Sequence, residues 1–162
     1  MSKVLGAPEQ ASPDAVRPAA LYNYNMFTYL DANWFGPLIN LVVSDELMVE
    51  KVVRLVTMQP DFKNRGAIRS IFDGRYRFSR YFSPLRFNLP TTYEALLADN
   101  DVEVYDPQDD PQEMRNLAQD GKAKDLIMAL NAKLTARINE EVGVDDARFL
   151  ALMDGHWYPA RV

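Results

Sequence analysis

Apolar residues concentrate on both sides of Asp73-Gly74, in two short runs rich in Ile, Phe and Tyr. Asp-Gly between such runs is a strong hairpin signal, because a tight type I′ turn needs positive φ at both central residues. The pattern predicts strands over residues 67–72 and 75–81. A two-residue turn would place Ile71 opposite Tyr76.

Helical spacing is clearest over residues 122–141, where apolar side chains recur every three or four positions. This stripe consists of Leu126, Ile127, Leu130, Leu134 and Ile138. Further strands are predicted over 20–24 and 102–105. The fold class that follows is α+β: a small antiparallel sheet of three or four strands, covered on one face by the long amphipathic C-terminal helix. Arginines are expected on the other face, and Gly143 would end the helix.

An earlier helix is predicted after Ser44, which is followed by two acidic residues and can serve as an N-cap. The apolar spacing that begins at Leu47 favours a helix, with a strand over 49–56 as the alternative. The preceding segment is dense in aromatic residues, which indicates core or a partner-facing patch. These residues are Phe27, Tyr29, Trp34 and Phe35. Gly36-Pro37 is expected to break the structure before it.

Two more short helices are predicted between the hairpin and the long helix. Thr91 and Glu94 have the spacing of a capping box for a helix over 92–98. Asp110-Pro111 has the pattern of a helix start, with Glu113 at the third helical position and an end near Ala118. Residues 1–17 form a polar lead-in, and residues 144–162 form a C-terminal arm or a short helix.

Composition excludes several kinds of chemistry. The chain has 162 residues, no cysteine and one histidine, His156. Disulfides, thiolate zinc sites and a cysteine nucleophile are therefore excluded, and a single histidine is far more often structural than a metal ligand. The net charge of −5 argues against nucleic-acid binding. No apolar run approaches the roughly 18 residues of a membrane span, so a cytoplasmic protein without a membrane partner is predicted.

Three motifs in this order are similar to those of one known family. The first is R-G-A-I-R-S-I-F-D-G-R-Y-R-F, the second V-E-V-Y-D, and the third D-P-Q-E-M-R-N-L-A, followed by an amphipathic helix. Together they resemble the C-terminal region of the sulfatases, within the alkaline-phosphatase-like superfamily. The resemblance is clearest over residues 65–142. It implies that residues 18–143 form a sulfatase-like C-terminal subdomain, of the kind found in bacterial arylsulfatase-like proteins.

The sulfatase catalytic motifs have no counterpart here. Members of that family use calcium and a formylglycine made from the first residue of C/S-x-P-x-R. In this chain the nearest sequence is Ser83-Pro84-Leu85-Arg86, which has a different spacing. The resemblance therefore carries over no catalytic, cofactor-binding or metal-binding residue, and the chain by itself is expected to be inactive.

Arginines near the hairpin are the remaining candidate site. They are Arg69, Arg75, Arg77, Arg80 and Arg86. Guanidinium groups suit sulfate as they suit phosphate, so the first four are candidates for an anion contact or an interdomain contact. The competing interpretation, which we favour, is a solvated face paired with carboxylates of this acidic chain. Arg69 is the exception, since it interrupts an apolar strand and would need a partner if buried.

Two functions follow as hypotheses. In the first, the chain is a C-terminal fragment of a sulfatase-like sulfuric ester hydrolase that supports a catalytic domain and the rim of its substrate pocket. In the second, it is a freestanding interaction or homo-oligomerisation module whose interface is the aromatic patch.

Overall fold

Four strands in the computed structural model form one antiparallel sheet in chain order. They are β1 (Ala20–Asn25), β2 (Ala67–Phe72), β3 (Arg77–Phe82) and β4 (Asn100–Tyr105). The structure describes residues 6, 8–12, 15–25, 31–58, 61–86, 88–145, 150–153 and 156–159, the last two ranges by their backbone alone. The predicted α+β class with a small antiparallel sheet is confirmed.

Four α-helices accompany this sheet in the described part of the chain. They are α1 (Ala32–Val43), α2 (Met48–Thr57), α3 (Tyr93–Asp99) and α4 (Lys124–Glu141). The long helix α4 lies across one face of the sheet, as predicted. Gly143 follows the end of α4 and terminates it. Its φ of +88° and its N–H bond to the Ile138 carbonyl are those of a glycine C-cap. No helix among the described residues is long and apolar enough to cross a membrane.

The hairpin between β2 and β3 has a longer turn than predicted. Ile71 lies opposite Phe78, not Tyr76, so the register is displaced by two residues. The Asp73 side chain accepts hydrogen bonds from the backbone N–H groups of Arg75 and Tyr76 at 3.1 and 2.8 Å. Gly74 has positive φ, as the Asp-Gly signal requires, but the aspartate caps a four-residue loop. Because the displacement is even, residues that share a face in the predicted register also share one in the observed register.

The core lies between the sheet and α4. One row of apolar side chains crosses all four strands, made of Leu21, Ile71, Phe78 and Val104. Against it lie Ile127, Leu130, Leu134 and Ile138, which are the predicted stripe without its first member, Leu126, which is only partly buried. Alternation of side chains along the strands therefore selects one face for burial under α4.

The prediction that the arginines face away from the helix is wrong for Arg69 and Arg80. Arg69 lies two residues before Ile71 and Arg80 lies two residues after Phe78, so each points to the same face as that core residue. Both are buried on the side that α4 covers. The side away from α4, called the open face below, carries Tyr22, Tyr24, Ile68, Ser70, Phe72, Arg77, Ser79, Tyr81, Glu103 and Tyr105. Of these, Ile68, Ser70 and Ser79 are buried. Of the predicted site residues, only Arg77 lies on that face.

The segment between β1 and β2 corrects two predictions. Gly36 and Pro37 lie inside α1 and do not break it. The helix starts only a few residues earlier, where the Asp31 side chain accepts the N–H of Trp34 at 3.1 Å, so the missing N–H of Pro37 removes a single intrahelical bond. Ser44 ends α1 by donating to the Leu41 carbonyl at 2.9 Å and does not cap α2. The helical interpretation of residues after Leu47 is confirmed, and the strand alternative is wrong.

Residues around Asp110 form turns rather than the predicted helix. Glu113 has a positive φ of 54°, which a right-handed helix does not allow. The Asp110 side chain accepts the N–H of Arg115 at 2.8 Å, and a short 3₁₀ turn, Leu117–Gln119, follows. The helix before β4 is confirmed, although Thr92 rather than Thr91 caps it.

The described residues near the C-terminus form a hairpin, not the short helix that was one of the two alternatives. β5 (Leu150–Met153) pairs with β6 (His156–Pro159) in a separate antiparallel sheet. Part of the aromatic segment, Phe27 and Tyr29, lies outside the described residues.

Candidate functional site

Arg75 joins the hairpin loop to the turn after β4. Its Nε and Nη2 donate to Asp106 Oδ2 at 3.0 and 2.8 Å, and its guanidinium lies 4.9 Å from the centre of the Tyr76 ring. The hydrogen bond from Arg75 holds the pKa of Asp106 below its ordinary value. Because the second motif ends at Asp106, this pair connects the first motif to the second. About half of the Arg75 side chain stays exposed.

Arg77 is the arginine of the open face, and it connects the first motif to the third. Its Nη1 donates to Glu113 Oε2 at 2.7 Å, with the arginine side chain about half exposed. The positive φ of Glu113 is incompatible with the helix that the sequence pattern predicted. The Glu113 carboxylate lies toward β3, where it binds Arg77. Exposed pairs of this kind add little stability, so Arg77 is available to a partner at modest cost.

Arg69 is buried and fully paired. Its Nε and Nη2 donate to the two carboxylate oxygens of Asp145 at 2.6 and 3.1 Å, which is the bidentate geometry that guanidinium groups favour. Its Nη1 donates to Asn25 Oδ1 and to the Ile68 carbonyl, and its charge lies 5.2 Å from the centre of the Phe82 ring. The expectation that a buried arginine needs a partner is met from within the chain.

Arg80 lies opposite Arg69 in the register and is buried without an ion pair to any carboxylate of the described residues. It is 0% exposed, and Nη1 donates to Asn131 Oδ1 at 2.8 Å. Its Nε and Nη2 have no hydrogen-bond partner in the structure as described. Burial lowers the pKa of the guanidinium to about 10 although Asp145 favours the charged form, so Arg80 stays charged at neutral pH. The Asp145 carboxylate therefore binds Arg69 directly and acts on the Arg80 charge only through its electric field.

A shallow depression of about 620 Å³ lies on the open face. Its lining includes Tyr22, Arg77, Tyr81, Glu103 and Glu113. Tyr81 donates to Glu103 Oε2 at 2.8 Å, and burial together with this bond raises the pKa of its hydroxyl. With tyrosine hydroxyls, carboxylates and one guanidinium, the surface can form polar contacts around an aromatic centre.

Asn116, from the third motif, fixes the turn against β4. Its Oδ1 accepts the N–H groups of Val104 and Ala118 at 3.0 and 2.9 Å. Its Nδ2 donates to the Val102 carbonyl at 3.2 Å. The Asn116 side chain thereby forms hydrogen bonds with the backbone of β4 along the edge of the sheet, where a strand has no neighbouring strand to bind. The third motif is thus attached to the strand of the second.

The sulfatase cofactors do not fit the described residues. No group of three or more His, Cys, Asp or Glu side chains among them could hold a metal ion. Ser83, in the sequence nearest to the formylglycine motif, donates its hydroxyl to the Phe62 carbonyl at 2.6 Å and accepts the N–H of Leu85. Its hydroxyl is therefore engaged with the backbone. His156 lies in β6, and Arg86 is exposed at the end of the 3₁₀ turn Pro84–Arg86.

The four candidate arginines do not form one cluster: two are buried under α4, one lies in the hairpin loop, and one lies on the open face. Sequence reasoning missed Asn131 and Asp145, the partners of the buried pair. Asn131 had a detectable signal, since it lies four residues after Ile127 and so falls on the apolar stripe of α4. Asp145 follows the helix end and had no such signal. The role of the arginines in an anion or interdomain contact stays a prediction.

Comparisons with known proteins give likeness in structure alone. No protein-family model matches the chain, and no curated protein matches it. Among solved structures it is similar to a protein from Bacteroides thetaiotaomicron described as a "putative sulfatase", with 16% sequence identity and a TM-score of 0.40 over 76% of this chain and 16% of that one. It is also similar to a phosphonate monoester hydrolase of Agrobacterium radiobacter, with 15% identity and a TM-score of 0.41 over 93% of this chain and 22% of that one. The chain thus spans less than a quarter of either protein.

Proposed function

We propose that this chain acts as the C-terminal subdomain of a sulfatase-like sulfuric ester hydrolase. In this role it supports a catalytic domain and contributes to the rim of its substrate pocket. The observation that carries the proposal is that the three sulfatase-like motifs bind one another. Arg75 holds Asp106, Arg77 holds Glu113, and Asn116 holds the backbone of β4.

These contacts give the motif residues a structural role, which is to hold the loops of the sheet together. The charged and amide groups that carry the resemblance are engaged with other parts of the same sheet and do not converge on one reactive point. Catalytic groups, in contrast, converge on a shared position in a cleft. A supporting subdomain is therefore favoured over an enzyme that acts alone, and we derive no catalytic step from this chain.

The open face is the surface that we assign to the catalytic domain. Tyr22 is 56% exposed, and Phe72 and Tyr24 are partly exposed beside it. Aromatic residues and arginine are enriched at protein interfaces, and Arg77 lies on the same face. The expected partner surface is apolar at its centre and carries a carboxylate near Arg77. A cytoplasmic location for such a complex stays a prediction.

The test uses the purified chain and a neighbouring reading frame that encodes C/S-x-P-x-R. By itself the chain should hydrolyse p-nitrophenyl sulfate no faster than a heat-denatured sample. Mixed with the product of that reading frame, it should form a complex on size-exclusion chromatography. Phe72→Asp should weaken the complex at least about tenfold, whereas Leu85→Asp, at a similarly exposed position outside the open face, should not. Turnover by the chain alone, or the lack of any complex, would contradict the proposal.

A second candidate function is favoured by a different observation. Helix α2 has no buried residue and exposes most of its apolar side chains, which is typical of an interaction surface. A freestanding interaction or oligomerisation module would use this surface. Of the aromatic patch first assigned to that role, Trp34 and Phe35 are half-buried in α1.

A further inference from the structure

A second depression, of about 540 Å³, lies at the end of the sheet where β2 begins, β3 ends and β4 begins. It is called the basic depression below, because three of its described lining residues are cations. They are Lys63 and Arg65, from the loop before β2, and Arg86, from the 3₁₀ turn after β3. Asp99 is the one carboxylate among them. This lining is positive overall, although the chain carries a net charge of −5.

Two of these cations are unpaired. The side chains of Lys63 and Arg86 form no ion pair and no hydrogen bond with any described residue. Most arginines in the described part of the chain bind a carboxylate, as Arg77 binds Glu113. An anion that approached such an arginine would have to displace the carboxylate already bound to it. At the basic depression an anion meets two charged groups that need give up no contact within the chain.

A buried serine fixes the spacing of the two unpaired cations. Ser83 is 3% exposed, and its hydroxyl donates to the Phe62 carbonyl at 2.6 Å. This bond joins the residue before Lys63 to the start of the turn that carries Arg86. Within that turn the N–H of Arg86 donates to the Ser83 carbonyl at 2.9 Å. Both cations are therefore attached to backbone that the fold holds in place, which lowers the entropy lost when they bind one ligand.

Arg65 contributes charge to the depression from a partly occupied position. Its guanidinium donates to Asp101 and to the Ala98 carbonyl. The Asp101 side chain is 69% exposed, and such an exposed pair is weak. Because Asp101 offsets the charge of Arg65, the two unpaired cations supply most of the attraction for an anion.

We propose that the basic depression binds a tetrahedral oxyanion, which is a phosphate or sulfate group. The planar fork of Arg86 suits two oxygens of such a group, and the compact charge of Lys63 suits a third. Two negative charges on the ligand match the two unpaired cations. The depression falls in the range of about 300–1,000 Å³ that ligand sites occupy, so it has room for the organic part of an ester. None of its described lining residues belongs to the open face, and the site does not depend on the proposed sulfatase-related role.

Nuclear magnetic resonance of the ¹⁵N-labelled full chain tests the site directly. Inorganic phosphate and inorganic sulfate are titrated separately, with sodium chloride keeping the ionic strength constant. The amide signals of Lys63, Arg65 and Arg86 should shift and saturate, with a dissociation constant on the order of 1 mM. Acetate is the control anion and should give no saturation. Chemical shift is preferred to melting temperature, because phosphate and sulfate stabilise folded proteins in general by exclusion from their surface.

A charge-matched pair of double variants separates a site from a general charge effect. Lys63→Gln combined with Arg86→Gln should raise the dissociation constant at least about tenfold, because charge-assisted hydrogen bonds to the ligand are lost. Arg17→Gln combined with Lys122→Gln removes the same charge from two other exposed and unpaired cations of the described chain. This control should leave the constant unchanged. Far-ultraviolet circular dichroism of both should match the original chain.

Two further measurements define the ligand. Arg86→Lys keeps the charge but removes the fork, so it should weaken binding less than the double variant does. Phenyl phosphate should shift the same signals as inorganic phosphate. Tighter binding of phenyl phosphate would assign the site to an ester, and equal binding would assign it to the free ion.

Several results would overturn the proposal. One is the lack of saturation by either phosphate or sulfate up to about 50 mM, well above the expected constant. Another is an equal loss of binding in the two double variants, which would mean that net charge alone attracts the anion. A third is saturation by acetate with a similar constant, since the site would then not select a tetrahedral group.

Discussion

Two regions of this molecule use amphipathic helices in opposite ways. In the sheet body, formed by β1–β4 and α4, the apolar stripe of the helix is buried against the strands. In the helical pair, formed by α1 and α2, only Leu41 of α1 is a buried residue and the apolar side of α2 faces outward. The same sequence pattern thus closes a core in one region and leaves a surface in the other. Amphipathic spacing predicts that a helix forms, but it does not identify what covers the helix.

Polar groups differ between the regions in the same way. The sheet body buries Arg69, Arg80 and Asn131 and joins its loops by ion pairs. The helical pair holds its charges at an exposed edge. We therefore expect substitutions in the body to change the free energy of unfolding strongly, and those in α2 to change it little.

The largest expected effect is that of Arg69→Met. It would leave Asp145 buried without the cation that binds both of its oxygens, at a cost of about 3–5 kcal/mol in unfolding free energy. Arg80→Met is the matched variant on the facing strand. Because Arg80 forms no ion pair with a described residue, its replacement should cost less than that of Arg69, although Asn131 Oδ1 loses its donor. Urea denaturation of both variants measures the difference, and equal losses would contradict this account of the buried pair.

A matched leucine pair compares the two regions directly. Leu134→Ala, at a residue that is 0% exposed, should destabilise the chain by about 2–5 kcal/mol. Leu47→Ala, at a residue that is 70% exposed beside α2, should cost less than about 0.5 kcal/mol in the monomer. Both values come from urea titrations of the purified chain. A large loss for Leu47→Ala would mean that the monomer already covers its helical pair.

Asn116→Ala tests whether the third motif is a scaffold. The variant leaves two backbone groups of β4 and one of the following turn without their partner, so a loss of about 1–3 kcal/mol is expected. Asn40→Ala, at an exposed position of α1, is the control and should be neutral. Hydrogen exchange at Val104 and Ala118 should become faster in Asn116→Ala alone. Unchanged protection would show that the side chain does not hold the turn.

The smallest expected effect concerns acid stability. The pKa of Asp106 is lowered in the folded state by the hydrogen bond from Arg75. The carboxylate therefore stabilises the fold above its ordinary pKa of 3.8 and loses this effect as pH falls through the lowered value. Melting temperatures should be higher for the original chain than for Asp106→Asn at neutral pH, and should converge in strong acid. A constant difference down to the lowest pH would contradict the assignment.

The elements of the sheet body were largely predictable, and their contacts were not. The stripe in α4 and the alternation around Asp73-Gly74 identified the helix and the hairpin, but not the face of the sheet on which Arg69 and Arg80 lie. The turn length failed because Asp73 caps a four-residue loop, which the dipeptide signal does not distinguish from a two-residue one. The helix predicted at Asp110 is absent because Glu113 has a positive φ and the Asp110 side chain accepts the N–H of Arg115, so that a turn takes the place of the first helical turn.

The sequence by itself determined the α+β class, the approximate positions of the strands along the chain, the covering helix and the sulfatase-like motifs. These follow from local periodicity and turn chemistry, which act over a few residues. Only the tertiary structure decided that Arg69 and Arg80 lie under α4, that the three motifs bind one another, and that α2 keeps its apolar side exposed. Each of these outcomes depends on residues far apart in the chain, such as Arg69 and Asp145, whose approach no local pattern specifies.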